Sequence, residues 1–414
     1  MAFKHGVYKS EVPTSVVAPA QGYASLPFVV GTAPVHLADR TNVNRLELCY
    51  TFEEAVEKFG YSEDWKNYTL SEFMYVYFVL YGCSPCVLVN VFDPDKHSDT
   101  NLNSSVLVGG VDAETGKYTG LELVHQVFPK YRLVPGLIGC PRWSAYNTVG
   151  AIMGAKAENV SGLFTCSAVI DVPTKSDGVH EETGAPRYGD VPALKTFFNM
   201  TNPREILCWP MVTAAGKRSY FSNHIISLLA KTDREHDDVP YKSPSNEQLQ
   251  ISGTLISYGP EVSLTLEQAN YLNSQGVVTA LNWTGGWRAW GNRTAAYPAV
   301  TDVKDCFIPV RRMMDWIGNT FINTFWQKVD APMTPRLIRT IVNSFNMYLN
   351  SLVAREMLLG GRVEFREDEN AATDLMNGIL RFHVFITPPM PAETIEGIFE
   401  YDPQYLSVLY EALN

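Results

Sequence analysis

The sequence predicts a layered protein of mixed α/β and α+β character, in two parts with extended ends, and three observations carry that prediction. Short runs of branched and aliphatic residues alternate with capped helical periods from Phe28 onward. A polar stretch over residues 232–246, rich in charge, Pro and Ser, breaks the pattern and places a boundary near Ser252. Both ends carry prolines among strand-forming residues and show no helical period. The expected division is an arm over 1–27, an α/β domain over 28–251, a second domain over 252–391, and a closing arm with a short helix over 392–414.

Each element has a local reason. Pro13, Pro19 and Pro27 keep the first segment extended, and residues 28–31 read as a buried strand. Thr51 and Glu54 have capping-box spacing and open a helix that stops at Gly60. Thr69 and Glu72 repeat that spacing before an apolar helix ending at Gly82, and residues 86–92 form the next strand. Strand, helix, helix, strand fits a sheet covered by helices, with Val29, Val56, Phe59, Val79 and Val89 in its core. Residues 93–120 turn polar and glycine-rich and read as a surface hairpin or long loop. A βαβ unit follows: strand 133–140, helix 144–158 with Val149, Ile152 and Met153 on one face, strand 163–172. After a polar loop over 173–192, strand 206–212 leads into a helix over 219–231.

Past the boundary, Thr265 and Gln268 cap a helix ending at Gly276, and strand 277–282 runs into the aromatic loop NWTGGWRAWGNRT. Two long helices come next, 310–329 with Met314, Ile317, Phe321 and Phe325 at helical spacing, and one from Pro335 to the Gly360-Gly361 stop. Leu380, Phe382, Val384 and Ile386 alternate with polar neighbours as a strand, which Pro388, Pro389 and Pro391 terminate. A last alternating stretch, 395–401, precedes Asp402 as an N-cap and a short helix carrying Leu406, Leu409, Tyr410 and Leu413.

Composition excludes several classes of function. With 33 Lys and Arg against 44 Asp and Glu, the net charge of −11 disfavours a general grip on nucleic acid or anionic lipid. The longest apolar run, 73–83, falls far short of the roughly 18 residues a spanning helix needs. The opening MAFKHGVYKSEVPTS has no apolar signal region, which predicts a chain that stays in the cytoplasm. Seven scattered cysteines read as reduced thiols, and Cys83 with Cys86, lacking a second ligand pair, as core cysteines at a turn. Motifs for phosphate cradling, zinc proteolysis, an esterase nucleophile or dinucleotide binding are missing, and the eight histidines are spread singly, so the residues support no catalytic site, metal or cofactor.

Two clusters stand out. Trp283, Trp287 and Trp290 are interleaved with glycines and with Arg288 and Arg293, which reads either as indoles plugging a core or as an interface anchor. Arg311 and Arg312 sit at a helix start, where the dipole disfavours cations, so acidic partners are expected within the chain or across an interface.

These residues carry a resemblance. HGVYKSEVPTSV with LPFVVGTAPVHLA, GLIGCPRWSAYNTVGAIMGAKAENVSGLFTCSAVIDVP, GVVTALNWTGGWRAWGNRTAAYP with FIPVRRMMDWIGNTF, and FHVFITPPMPAETIEGIFEYD together span about two thirds of the chain. They resemble the contractile tail sheath proteins of bacteriophages and phage-tail-like bacteriocins. The resemblance implies a non-enzymatic subunit without a cofactor. It would be assembled in the bacterial host cytoplasm into a virion tail or phage-tail-like particle, as stacked hexameric rings around an inner tail tube that contraction drives into a target envelope. Implied partners are further copies of itself, the tube protein, baseplate and tail terminator proteins, with no nucleic acid and no membrane insertion. It also implies an inner domain made of the N-terminal arm and C-terminal half, an outer domain from the middle, and arms that add strands to neighbouring subunits.

On that basis Phe3, Val7, Tyr8, Val12 and Val16, with Ile395, Phe399 and Tyr401, become candidates for inter-subunit pairing. Both stretches are strand-compatible, and prolines set both off from the nearest regular element. Trp283, Trp287, Arg288, Trp290, Arg293, Arg311 and Arg312 become loop or interface candidates. Arg336, Arg339 and Arg355, on one long helix, become candidates for contact with an acidic tube, against the alternative of a solvated face. A passive self-assembling shell protein and, more remotely, an α/β enzyme are the competing readings.

Overall fold

A computed structural model describes residues 22–97, 100, 102–174, 184–256, 259 and 261–411. The arm candidates Phe3, Val7, Tyr8, Val12 and Val16 lie outside the described residues, as does the middle of the 173–192 loop.

Thirteen strands are described: β1 Pro27–Gly31, β2 Glu47–Cys49, β3 Cys86–Asn90, β4 Leu137–Gly139, β5 Ser167–Asp171, β6 Glu205–Cys208, β7 Met211–Ala214, β8 Lys217–Ser219, β9 Gly253–Leu255, β10 Val277–Trp283, β11 Gly286–Trp290, β12 Gly360–Glu364 and β13 His383–Thr387. The main helices are α1 Phe52–Phe59, α2 Thr69–Met74 continuing as a π-helix over Tyr75–Leu80, α3 Asn147–Glu158, α4 Val191–Phe197, α5 Phe221–Arg234, α6 Leu266–Ser274, α7 Ile308–Phe325 and α8 Pro335–Ala354. Among the described residues no helix is long and apolar enough to cross a membrane.

An eight-stranded sheet in the order β11-β10-β6-β5-β4-β1-β3-β2 forms the centre. Its inner strands are parallel, and β2 and β11 close its edges antiparallel. Side chains alternate between two cores, as the two-residue strand period requires. Phe28 and Val30 face one, under α3, α4 and α6, while Val29 faces the other, under α1, α2 and α5. Burial on both faces explains why these strands read as continuous apolar runs. A third core gathers Trp316, Ile317, Phe325, Phe345, Leu349 and Leu352 of α7 and α8 against the antiparallel pair β12-β13. The sheet crosses the expected boundary near Ser252, since β10 and β11 join it from beyond.

Several local expectations change. Thr51 accepts the Glu54 N–H as expected, but the Glu54 carboxylate takes the N–H of Tyr50. Gly60 ends α1 at φ 75, where an added Cβ would meet the Pro34 carbonyl at 2.5 Å. Thr69 and Glu72 form no capping box, because tertiary partners take them: Thr69 Oγ1 accepts from Thr32 N at 3.2 Å, and Glu72 turns to Ser219, Tyr220 and Asn223. Val56 is only half-buried and Val79 is 48% exposed, so neither is core. The expected strand over 206–212 is two strands in different sheets, β6 and β7. The polar stretch 93–120 contains a helix, Ser104–Val108, whose Leu107 is fully buried. Within 232–246, Thr232, Asp233 and Val239 are buried, so that stretch is packed rather than an exposed linker.

Candidate assembly surfaces

In a doubly wound sheet the usual ligand crevice lies beyond the carboxyl ends of the strands, where strand order reverses. Here that point lies between β1 and β4, and past those strand ends Glu72 and Arg142 line an open cavity with Trp65, Met211, Lys217 and Tyr220. Asp171, at the end of β5, accepts from Ser144 Oγ at 3.2 Å and from Ser222 N and Oγ at 2.9 and 2.5 Å, which caps the start of α5. Glu72 accepts from Ser219 Oγ, Tyr220 N and Asn223 Nδ2 at 2.6–2.7 Å. Burial dominates its titration and pushes the carboxyl up to about 8. His224 contacts Ser219 Oγ at 3.1 Å and the Tyr81 hydroxyl at 3.3 Å, and burial pushes it down to about 3. This Glu-Ser-His chain has the residue types of a relay, yet Ser219 and His224 are fully buried, where no substrate reaches them. The seven cysteines are free and buried, and no group of three metal-ligating side chains occurs among the described residues.

The tryptophan loop is a β-hairpin. Trp283 pairs with Gly286 across a two-residue turn whose Gly285 has φ 85, so NWTGGWRAW is strand, turn and strand. Trp283 is 57% exposed, whereas Trp287 and Trp290 are half-buried and Trp290 Nε1 donates to Asn270 Oδ1 at 2.7 Å. Arg288 Nη1 donates to the Asn246 carbonyl at 3.1 Å. Arg293 leaves the hairpin and forms a two-bonded pair with Glu393, Nε to Oε1 at 2.8 Å, with its guanidinium over the rings of Tyr297 and Phe307.

The acidic partners expected for Arg311 and Arg312 are within the chain. Arg311 reaches Asp305 at 3.0 Å and Asp315 at 2.8 Å, and Arg204, just before β6, grips Asp315 at 2.8 Å. Arg312 pairs with Asp233 and donates to Ser25 Oγ at 2.7 Å. These contacts bolt α7 to the sheet and offset the helix dipole. Asp315 was legible as the i+4 partner of Arg311, but Asp233, Arg204 and Glu393 are distant in sequence and no local pattern marks them.

The other arginines differ. Arg336 and Arg339 are exposed on the outer face of α8 and form no ion pair among the described residues, and Arg355 reaches Asp237 only at 3.5 Å. Asn343 and the 56% exposed Met347 continue that face. Trp326, Val329 and Met333, between α7 and α8, are also exposed.

Edges decide what can be added to a sheet. Residues 246–249 run along β11, with Asn246 N to Ala289 O at 2.6 Å and Leu249 N to Trp287 O at 2.9 Å. Beside β2, Tyr131, Lys130 and Lys58 satisfy the backbone groups of Leu46 and Leu48. The outer side of β12 is closed by Asn346, which bonds both Val363 N and Val363 O at 2.9 and 3.1 Å. Because Val363 turns its groups that way, its cross-strand partner Val384 turns its own to the outer side of β13. There no described strand meets it. Past Pro388 the chain has no regular structure until Pro403, and Ile395, Phe399 and Tyr401 are 90, 98 and 76% exposed. Asp402 caps the closing turn, accepting from Gln404 N at 2.9 Å, and Leu406 and Leu409 are exposed.

A body with an open sheet edge at β13 and a bare apolar tail has the features of a structural assembly protein. Its relatives agree. The chain is 29% identical over 323 residues to the tail sheath protein of Burkholderia phage BcepMu, covering 76% of this chain and 65% of that protein, slightly under two thirds of its length. It is 26% identical to a putative prophage major tail sheath protein of Pseudomonas aeruginosa, over 79% of this chain and 80% of that protein. No protein-family model matches. Among solved structures, the contracted sheath of the extracellular contractile injection system PVC superposes with a TM-score of 0.70 at 16% identity, covering 98% of this chain and 99% of that one. The contracted helical sheath of the anti-feeding prophage gives 0.69 at 18%, over 97 and 100%. The chain is a homologue of the contractile tail sheath proteins and has their fold.

Proposed function

We propose that the chain is the subunit of a contractile tail sheath, stacking as hexameric rings around an inner tube and contracting to drive that tube through a target envelope. The single observation that supports this beyond homology is an open sheet edge at β13 in the same molecule as a bare strand-compatible segment, 395–401. Pro388, Pro389 and Pro391 direct that segment away from its own β13, so a second copy supplies the pairing. The N-terminal segment with Phe3, Val7, Tyr8, Val12 and Val16 plays the matching part. In this reading the unit of α7, α8, β12 and β13 lies toward the tube, with Arg336, Arg339 and Arg355 offered to an acidic tube surface. The main sheet lies outside. Baseplate and terminator proteins bound the stack, which assembles in the host cytoplasm, and no nucleotide or other cofactor enters. Contraction then runs downhill from a metastable extended state.

Deleting 395–414 tests the reading. The purified variant should melt like the full chain, because the described residues of that stretch are exposed, and should form no cylinders under negative stain. Normal extended cylinders from the variant would overturn the pairing. Monodisperse full-length protein with tube present would overturn the sheath.

A further inference from the structure

The two ends leave the body through differently built anchors. At the N-terminal root, Arg312 holds Ser25 together with Asp233, and Trp316 Nε1 donates to the Gly22 carbonyl at 3.4 Å. The side chains of Arg312 and Asp233 are only 3 and 1% exposed. At the C-terminal root the one polar tether is the Arg293–Glu393 pair, at 15 and 29% exposure. Beyond Glu393 no described residue forms an ion pair with the body. Pro388 is buried, Pro389 and Pro391 are half-buried, and every described residue from Ala392 onward is exposed, with Ile395 bare. The Arg293 guanidinium cannot follow a moving arm easily, because Tyr297 and Phe307 hold it at 4.4 and 3.8 Å from their ring centroids and Cys306 Sγ accepts from it at 3.1 Å.

We propose that Arg293 is a positioning residue that fixes the pivot of the C-terminal arm at Glu393, and that breaking this pair moves the pivot back to Pro388, while the N-terminal root stays fixed to the body. The proposal rests on the sheath reading for its purpose and not for its test. A flat, two-bonded guanidinium–carboxylate contact sets direction as well as distance, which a lysine at position 293 does not reproduce. The pair is accessible enough to open without unfolding anything, whereas opening the Arg312 root strips a buried aspartate of its cation. A longer free arm lets the body turn further while its strand stays engaged elsewhere, so the pin limits how far subunits rotate before an arm must yield.

The test uses the full chain with spin labels on Ala392→Cys and Asn343→Cys, both exposed positions, since the native thiols are buried. The parent should give one narrow distance peak between the labels. Glu393→Gln and, separately, Arg293→Lys should lose that peak to a broad distribution, with an unchanged melting curve and an unchanged distance between labels on α8 and the main sheet. A general loosening of the fold would move those controls as well. A broad distribution in the parent, or a narrow peak that survives both substitutions, overturns the pin. Cylinder formation by the parent chain is scored separately, so a failure of the sheath reading is told apart from a failure of the pin.

Discussion

Two arginine pairs stand near the starts of consecutive long helices and are put to opposite use. Arg311 and Arg312 on α7 are buried and answered by Asp305, Asp315 and Asp233, so their charge is spent inside the molecule. Arg336 and Arg339 on α8 are exposed and unanswered. Local sequence looks alike in both, with a proline at the helix start and apolar residues at helical spacing. The difference comes from what packs alongside. α7 lies against the end of α5, which supplies Asp233, and the short helix before it supplies Asp305, whereas only the inner face of α8 is covered. Burial turns a cation into a bolt, and exposure leaves it available to a partner.

The largest effect expected from this contrast is at Arg312. Arg312→Met leaves Asp233 buried without its cation and should cost about 3–5 kcal/mol, read as a fall in the urea midpoint. A change near zero would mean that the pair is not buried in solution. Asp315→Asn comes next, because Arg204 and Arg311 lose an ionised acceptor but Arg311 keeps Asp305; about 2 kcal/mol is expected in the same measurement.

Glu72 sharpens the comparison as a buried carboxyl held by the neutral donors Ser219, Tyr220 and Asn223. Burial raises its folded pKa to about 8 from the ordinary carboxyl value of 4.5, so the folded state holds the proton more tightly. Its stabilisation is full below about 4.5 and is lost as pH rises through about 8. Glu72→Gln should therefore flatten the decline in stability across that window, and an unchanged pH profile would assign the decline to other groups. His224 works in the opposite sense: its folded pKa of about 3 lies below 6.5, so its contribution is present above 6.5 and lost as pH falls toward 3. The smallest effect on stability is at α8. Arg336→Glu with Arg339→Glu should leave the urea midpoint where it was and yet abolish co-sedimentation with tube protein. Retained co-sedimentation would return that helix face to plain solvation.

Much of the architecture was legible because burial on both faces writes β1, β3 and β5 as unbroken apolar runs and because α1, α6 and α8 carry their own N-caps at Thr51, Thr265 and Thr334. What stayed hidden depends on distant chain. The capping-box spacing at Thr69 and Glu72 is real in sequence, but Thr32 and Ser219 compete for those side chains and win. β12 was missed because Gly360 and Gly361 read as a stop, although β13 turns them into a strand. The tryptophan cluster was legible as unusual and its hairpin was not, since Gly285 and Gly286 mark a loop and a two-residue turn alike. Asp233 sat in a stretch that composition marks as exposed, and only Arg312 explains its burial.

The central sheet is completed by strands made late. β6 is synthesised long before β10, its neighbour, and at roughly 5–20 residues per second the growing chain carries an uncovered parallel edge for some seconds. During that interval translation and folding are out of step, and β6 invites pairing with any extended segment nearby, including the tail of a finished copy. Nascent chains arrested before Val277 should be cut by protease near β6, and chains arrested well after Trp290 should resist, which makes completion of this sheet a checkpoint separating synthesis from assembly.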